Sequence, residues 1–269
     1  MKTTVSLPEL KSLGSDLLET TSLQRWMALS RPFIGLATYI VAIYFNLWYI
    51  TPVIVFLIFV SVVTVTHDVV HNSLGLSKSQ SDVALFIMGA VLLESGHAYK
   101  MTHIQHHKLF PHEDDPEGEP AKIPLVKALL QGPVFLFKLY FWAVSKAGKG
   151  SQQLYWLYIE GLWLLLWIVI ALLVLPYTFA VLWYVVMVIV GSWVYPLLTV
   201  HLPHYNYGDE PLYQTRSLRG RIIPALFLEL TYHLEHHLYP QVPSHNLKKL
   251  SQRLDGFLKE NNARVWHVL

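Results

Sequence analysis

The stretch FIGLATYIVAIYFNLWYITPVIVFLIFVSVVTVTHDVVH, from Phe33 to His71, sets the class of the fold. No charged side chain interrupts it between Phe33 and Thr66. That run is too long for one bilayer crossing of about 20 residues, and it holds two only if the chain turns tightly. Asn46 to Pro52 supplies the turn, so the spacing predicts a hairpin with spans near 32–49 and 51–71. The second span ends on His67 and His71, an HxxxH pair that shares one helix face.

A second hairpin follows the same plan. Leu154 to Leu175 and Thr178 to Val200 are apolar, rich in Trp and Tyr, and separated only by Pro176-Tyr177. They predict spans at 154–175 and 178–200, with aromatic side chains serving as interface anchors. Composition agrees. The chain is 53% hydrophobic and 14% charged, against about a quarter charged in soluble domains. The expectation is an all-α membrane protein, one domain over 1–269. It has four transmembrane helices in two hairpins, with interfacial helices and a helical cap built from 72–153 and 201–269. Val83–Leu93 is too short to cross and reads as a re-entrant or interface-lying helix. Leu129–Val144, interrupted by Gly132, Pro133 and Lys138, reads as another interfacial segment. Residues up to Pro32 carry charges throughout and no central apolar run, so no cleavable signal peptide is expected.

Two hairpins return the chain to the side it left, which puts every histidine cluster on one face. No Lys or Arg falls in 46–52 or 176–177. By the positive-inside rule that face is cytoplasmic and the protein is an integral, multi-pass membrane protein.

The histidines carry the chemistry. His103-Ile104-Gln105-His106-His107 and His233-Leu234-Glu235-His236-His237 repeat one HxxHH spacing, and His67/His71 echo it. On helices these spacings aim their imidazoles the same way. Eight neutral nitrogen donors gathered so suit borderline transition metals. Structural zinc needs only four ligands and favours thiolates. A membrane metal transporter, the remote alternative, would place acidic ligands near mid-bilayer, whereas Glu160 sits near one end of its span. The absence of cysteine excludes disulfides, thiolate-ligated haem and a cysteine-held iron–sulfur cluster. Nothing points to nucleic acid.

The three boxes, set around two apolar hairpins, resemble the membrane fatty acid desaturase and hydroxylase superfamily over nearly the whole chain. The resemblance implies two iron ions in a histidine-dominated shell, with zinc a possible passenger on purification. It also implies O2 as co-substrate and oxidation of unactivated C–H bonds in a lipid drawn from the bilayer. It adds one histidine after the last hairpin, for which His204 fits, with His201 as the alternate ligand or a neighbour. The implied ligands are then His67, His71, His103, His106, His107, His204, His233, His236 and His237. No further catalytic residue is expected. Asp68, Glu235, Asp114 and Asp115 are candidates to orient imidazoles from behind. Glu235 reads equally well as a solvated helix position. His97, His112, His245 and His267 lack a spacing partner and read as surface or supporting histidines.

Local motifs resemble the bacterial β-carotene hydroxylases and ketolases. These are Leu202-Pro203-His204 ahead of the basic run Arg216–Arg221, the third box with its Pro240-x-x-Pro243 tail, and Asp114-Asp115-Pro116. Tyr205, Val69-Val70 and Ser244 depart from that pattern. Hydroxylation or ketolation of a carotenoid ring is therefore the leading expectation and fatty acyl desaturation the alternative. Electrons would come from an external ferredoxin or cytochrome b5-like donor. Lys248, Lys249 and Arg253 form either a small basic docking patch or a solvated helix face.

Overall fold

The computed structural model describes residues 5–269. Both expected hairpins are present. Ser22–Tyr44 pairs with Thr51–Val70, and Gln152–Val174 with Ala180–Ser192. The first helix begins ten residues before the expected span. Thr21 and Gln24 close a capping box there and satisfy the first backbone N–H groups.

The hairpin turns lie at one end of the bundle. Trp48 and Phe179 have ring centroids 6.4 Å apart, and the Tyr39 hydroxyl donates to the Ala180 carbonyl at 2.7 Å. Thr51–Val70 is the central helix, with 72% of its apolar window buried against 17% for Gln152–Val174. The second turns Leu162, Leu165, Leu172 and Leu173 outward, as a lipid-facing helix does.

Among the described residues five helices are long and apolar enough to cross a membrane, one more than the two hairpins supply. The addition is Leu125–Lys146, which runs unbroken where the sequence suggests a short interfacial piece. Gly132 is a contact there and not a break. A Cβ at that position would collide with the Trp193 carbonyl, so the missing side chain lets two backbones touch.

Lys78–Leu92 and Gly96–Leu109 meet at a 106° bend, the geometry of a broken span or a re-entrant loop, where a re-entrant or interface-lying helix over Val83–Leu93 is the expectation. Leu93 takes φ 55° at the corner, and the Ser95 side chain caps the second helix by accepting from Ala98. Gly96 lies against the Leu85 backbone, where a Cβ would not fit.

The cap packs on Ser244–Glu260. Its Leu247, Leu250, Leu254 and Leu258 recur at helical spacing and are buried with Leu17, Leu234 and Tyr239. Strands Ser217–Arg219 and Val265–His267 pair in parallel and bring the C-terminal residues beside the third box. The basic patch is largely spent on the protein itself. Arg253 forks onto Asp16 at 2.7 and 2.8 Å and Lys249 pairs with the same carboxylate, so both tie down the N-terminal segment.

Candidate metal centre

Four separate pieces of chain deliver histidines to one place. His67 lies in the last turn of Thr51–Val70 and His71 caps it. His103, His106 and His107 sit in the last two turns of Gly96–Leu109. His204 ends Leu202–His204, directly after a π-helical segment, Pro196–His201. The wider π turn shifts the register of the helix exit, a common device where a side chain must be re-aimed. His233, His236 and His237 share the short helix His233–Leu238.

The nine rings form two adjoining groups. In the first, ring nitrogens of His67, His71, His103 and His236 lie within 4.8 Å of one another, as do those of His106, His204 and His237 in the second. His107 joins the first group, its Nε2 3.2 Å from that of His103 and 2.9 Å from that of His236. His233 joins the second, its Nε2 3.0 Å from that of His204. His67 and His236 approach to 2.8 Å through their Nε2 atoms.

This donor set fits metal ions. Burial first, then the charge of neighbouring rings, holds His233, His236 and His237 well below the usual imidazole range, so they stay neutral. Neutral imidazoles are the ligand form. Nε2 of His71 and of His237 are buried with no hydrogen-bond partner, and two such groups of nitrogen lone pairs call for cations.

Three of the rings are held from behind. Asp115 Oδ2 lies 2.7 Å from His106 Nδ1, and Glu117 Oε2 lies 3.3 Å from His103 Nδ1. The Gln214 carbonyl lies 3.1 Å from His204 Nδ1. An acceptor behind Nδ1 fixes the tautomer whose Nε2 lone pair faces the centre. Glu117 also accepts from Thr102 Oγ1 at 2.6 Å, and burial pushes its carboxyl up to about 7. Sequence reasoning passed over Glu117 and Gln214. Neither keeps a helical spacing to its histidine, because the return loop after Leu109 and the stretch after His204 are irregular.

Several expectations are corrected. His201, the alternate ligand, lies in neither group of ring nitrogens, and its Nδ1 is 2.8 Å from the Pro120 carbonyl. Asp114 is exposed and lies 3.4 Å from the exposed His112, so only Asp115 of that pair reaches a ligand. Glu235 is neither solvated nor behind an imidazole. It is fully buried and accepts from Arg219 at 2.8 Å. Asp68 stands 3.6 Å from His67 Nδ1 and spends its oxygens on the Ser244 amide and hydroxyl, at 3.0 and 2.7 Å. It thereby staples the cap to the central helix. His97 is buried, stacked on Trp156, with Nδ1 2.7 Å from Glu160 and Nε2 3.4 Å from Asp82. Those partners come from two other helices and keep no helical spacing to His97. His267 is exposed as expected, and His245 lies outside both groups.

A cavity of about 250 Å³ leads to the rings. Phe59, Val63, Tyr195, Leu198 and Phe227 wall it, and it reaches His67, His103, His106 and His233.

The fatty acid desaturase family model matches residues 22–269. The chain belongs to the fatty acid desaturase family. It is accordingly a membrane oxidoreductase of the di-iron type. Dihydrorhizobitoxine desaturase of Bradyrhizobium elkanii is 25% identical over 264 residues, covering 79% of this chain and 70% of that protein. The chloroplastic omega-3 fatty acid desaturases of Ricinus communis and Sesamum indicum are 23% and 24% identical. The chain spans 56% of the length of each of these two.

Proposed function

We propose that the chain is an O2-dependent di-iron desaturase acting on an apolar chain that enters from the bilayer. The observation that carries this reading is the meeting of a predominantly apolar cavity with two groups of imidazole nitrogens. His67, His71, His103 and His236, with His107, would hold one iron. His106, His204 and His237, with His233, would hold the other. When bound, the irons supply the redox chemistry with O2 that attacks an unactivated C–H bond.

The chain's own residues do the rest. Phe59, Val63, Leu198 and Phe227 bind the apolar substrate and exclude water from the reacting carbon. Asp115, Glu117 and the Gln214 carbonyl keep Nδ1 protons in place so that the Nε2 atoms stay aimed. Electrons come from an external donor of the ferredoxin or cytochrome b5 kind, since the chain has no cysteine to hold a relay. The histidine face is cytoplasmic in this reading, supported by the absence of Lys and Arg from both hairpin turns.

Oxidation of a carotenoid ring is the second reading, favoured by Leu202-Pro203-His204 and by the third box with its Pro240-x-x-Pro243 tail. Expression in a β-carotene-accumulating host, followed by analysis of both pigments and fatty acids, separates the two. New acyl double bonds with unchanged pigment support desaturation, and hydroxy- or keto-carotenoids support ring oxidation. Reversible zinc or manganese binding with flux across vesicles, and no oxidation product, would defeat both in favour of transport.

A further inference from the structure

Arg216, in the basic run after the last hairpin, is a buried cation without a counter-ion. Its side chain lines the cavity that reaches the histidines, and the residue is 7% exposed. The guanidinium lies 4.4 Å over the Trp266 ring and donates through Nη2 to the Tyr205 carbonyl. Its Nε–H has no acceptor. Among the described residues Arg219 pairs with Glu235 and Asp255 and Arg253 with Asp16, while Arg216 pairs with no carboxylate. Glu117, the acid that lines the same cavity, is already engaged by Thr102 and His103. Burial, and after it the positive charge of Arg264, pushes the Arg216 guanidinium down from its ordinary range. The Thr231 hydroxyl also lines the cavity and is likewise buried without a partner.

A buried charge left unpaired is strongly unfavourable. A pocket that is apolar along its walls and carries a few unmatched polar groups is the form of a ligand site whose ligand brings the missing partners. The planar guanidinium fork matches a carboxylate or phosphate in shape as well as in charge.

We propose that Arg216, assisted by Thr231, binds the anionic head of the substrate, a carboxylate or a phosphate ester, while its apolar chain runs along the cavity to the histidines. This rests on the reading of that cavity as the substrate site. The enzyme then measures the position of oxidation from the charged end of its substrate, and a wholly neutral hydrocarbon does not satisfy the site.

The test is direct binding of dodecanoate, dodecyl phosphate and dodecanol to the purified full-length protein in a non-ionic detergent, by calorimetry at neutral pH. The wild type should bind one of the anions at least about tenfold tighter than dodecanol, and which anion does so identifies the head group. Arg216→Gln should lose that preference while keeping its dodecanol affinity, and Arg216→Lys should restore part of it. Equal binding of anion and alcohol by the wild type overturns the proposal, as does an anion preference that survives in Arg216→Gln. Loss of dodecanol binding together with anion binding in Arg216→Gln also overturns it, because Arg216 would then only hold Tyr205 and Trp266 in place. Iron bound by metal-stripped and iron-reconstituted samples of the same preparations keeps the two levels apart. An anion preference without iron upholds the site and defeats the oxidase, and two irons with no preference does the reverse.

Discussion

Asp115→Asn should cut metal affinity at the His106 group, and the structure says why the isosteric change is costly. Asp115 accepts two hydrogen bonds, one oxygen facing His106 Nδ1 at 2.7 Å and the other taking the Glu117 amide at 2.9 Å. An asparagine has one oxygen and one NH2, so one of those donors must face another donor. Either the His106 tautomer is no longer held or the turn that carries Glu117 is disturbed. Loss of such a supporting partner costs roughly 10–100-fold in metal affinity, which is about 1.4–2.8 kcal/mol. Iron titration of apo-protein against a chelator of known affinity reads this directly. Asp114→Asn is the control: that side chain is exposed and touches no ligand, so its titration should overlay the wild type. If Asp115→Asn also overlays the wild type, the carboxylate behind His106 does not set the affinity, and the account of the centre given above fails at that residue.

Three further outcomes are expected. His204→Ala should lower iron below two per chain by elemental analysis, whereas His201→Ala should leave it unchanged because its ring faces the Pro120 carbonyl; the reverse result would swap their roles. Glu235→Ala should leave Arg219 with Asp255 as its remaining carboxylate partner and cost at most about 3–5 kcal/mol, seen as a drop in the thermal midpoint; an unchanged midpoint would contradict the buried pair. Apo-protein should lose stability as pH falls. Burial holds His233, His236 and His237 neutral in the folded chain, while unfolded imidazoles titrate near about 6.5. Below that pH the unfolded state binds protons that the folded state refuses, so the stability present above it is lost on acidification. A thermal midpoint that rises from about pH 7 to about pH 5 would reverse the sign and refute the neutral cluster.

Much of this architecture was legible because it is periodic. The HxxHH and HxxxH spacings are helix-face patterns, and the structure brings all nine residues named from them and from the family resemblance into one centre. What escaped was non-local or ambiguous at short range. Gly132 and Pro133 look like helix breakers, yet packing on Trp193 overrides local propensity and Leu125–Lys146 runs through them. Asp114 and Asp115 are neighbours in an irregular loop, and only the fold decides which faces His106. His97 had no partner by spacing because Glu160 approaches it from another helix. Arg216 read as part of a basic run, and only its burial beside the cavity sets it apart.

The histidines of the centre run from His67 to His237, with the central helix made early and the third box late. Were metal ions bound there, neither group would have its full set of nitrogens until the third box had been made. A finished chain without metal would keep crowded, unneutralised nitrogen lone pairs where the early and late segments join. That seam is stapled by Asp68 to Ser244, and metal binding across it would couple the early and late segments to folding.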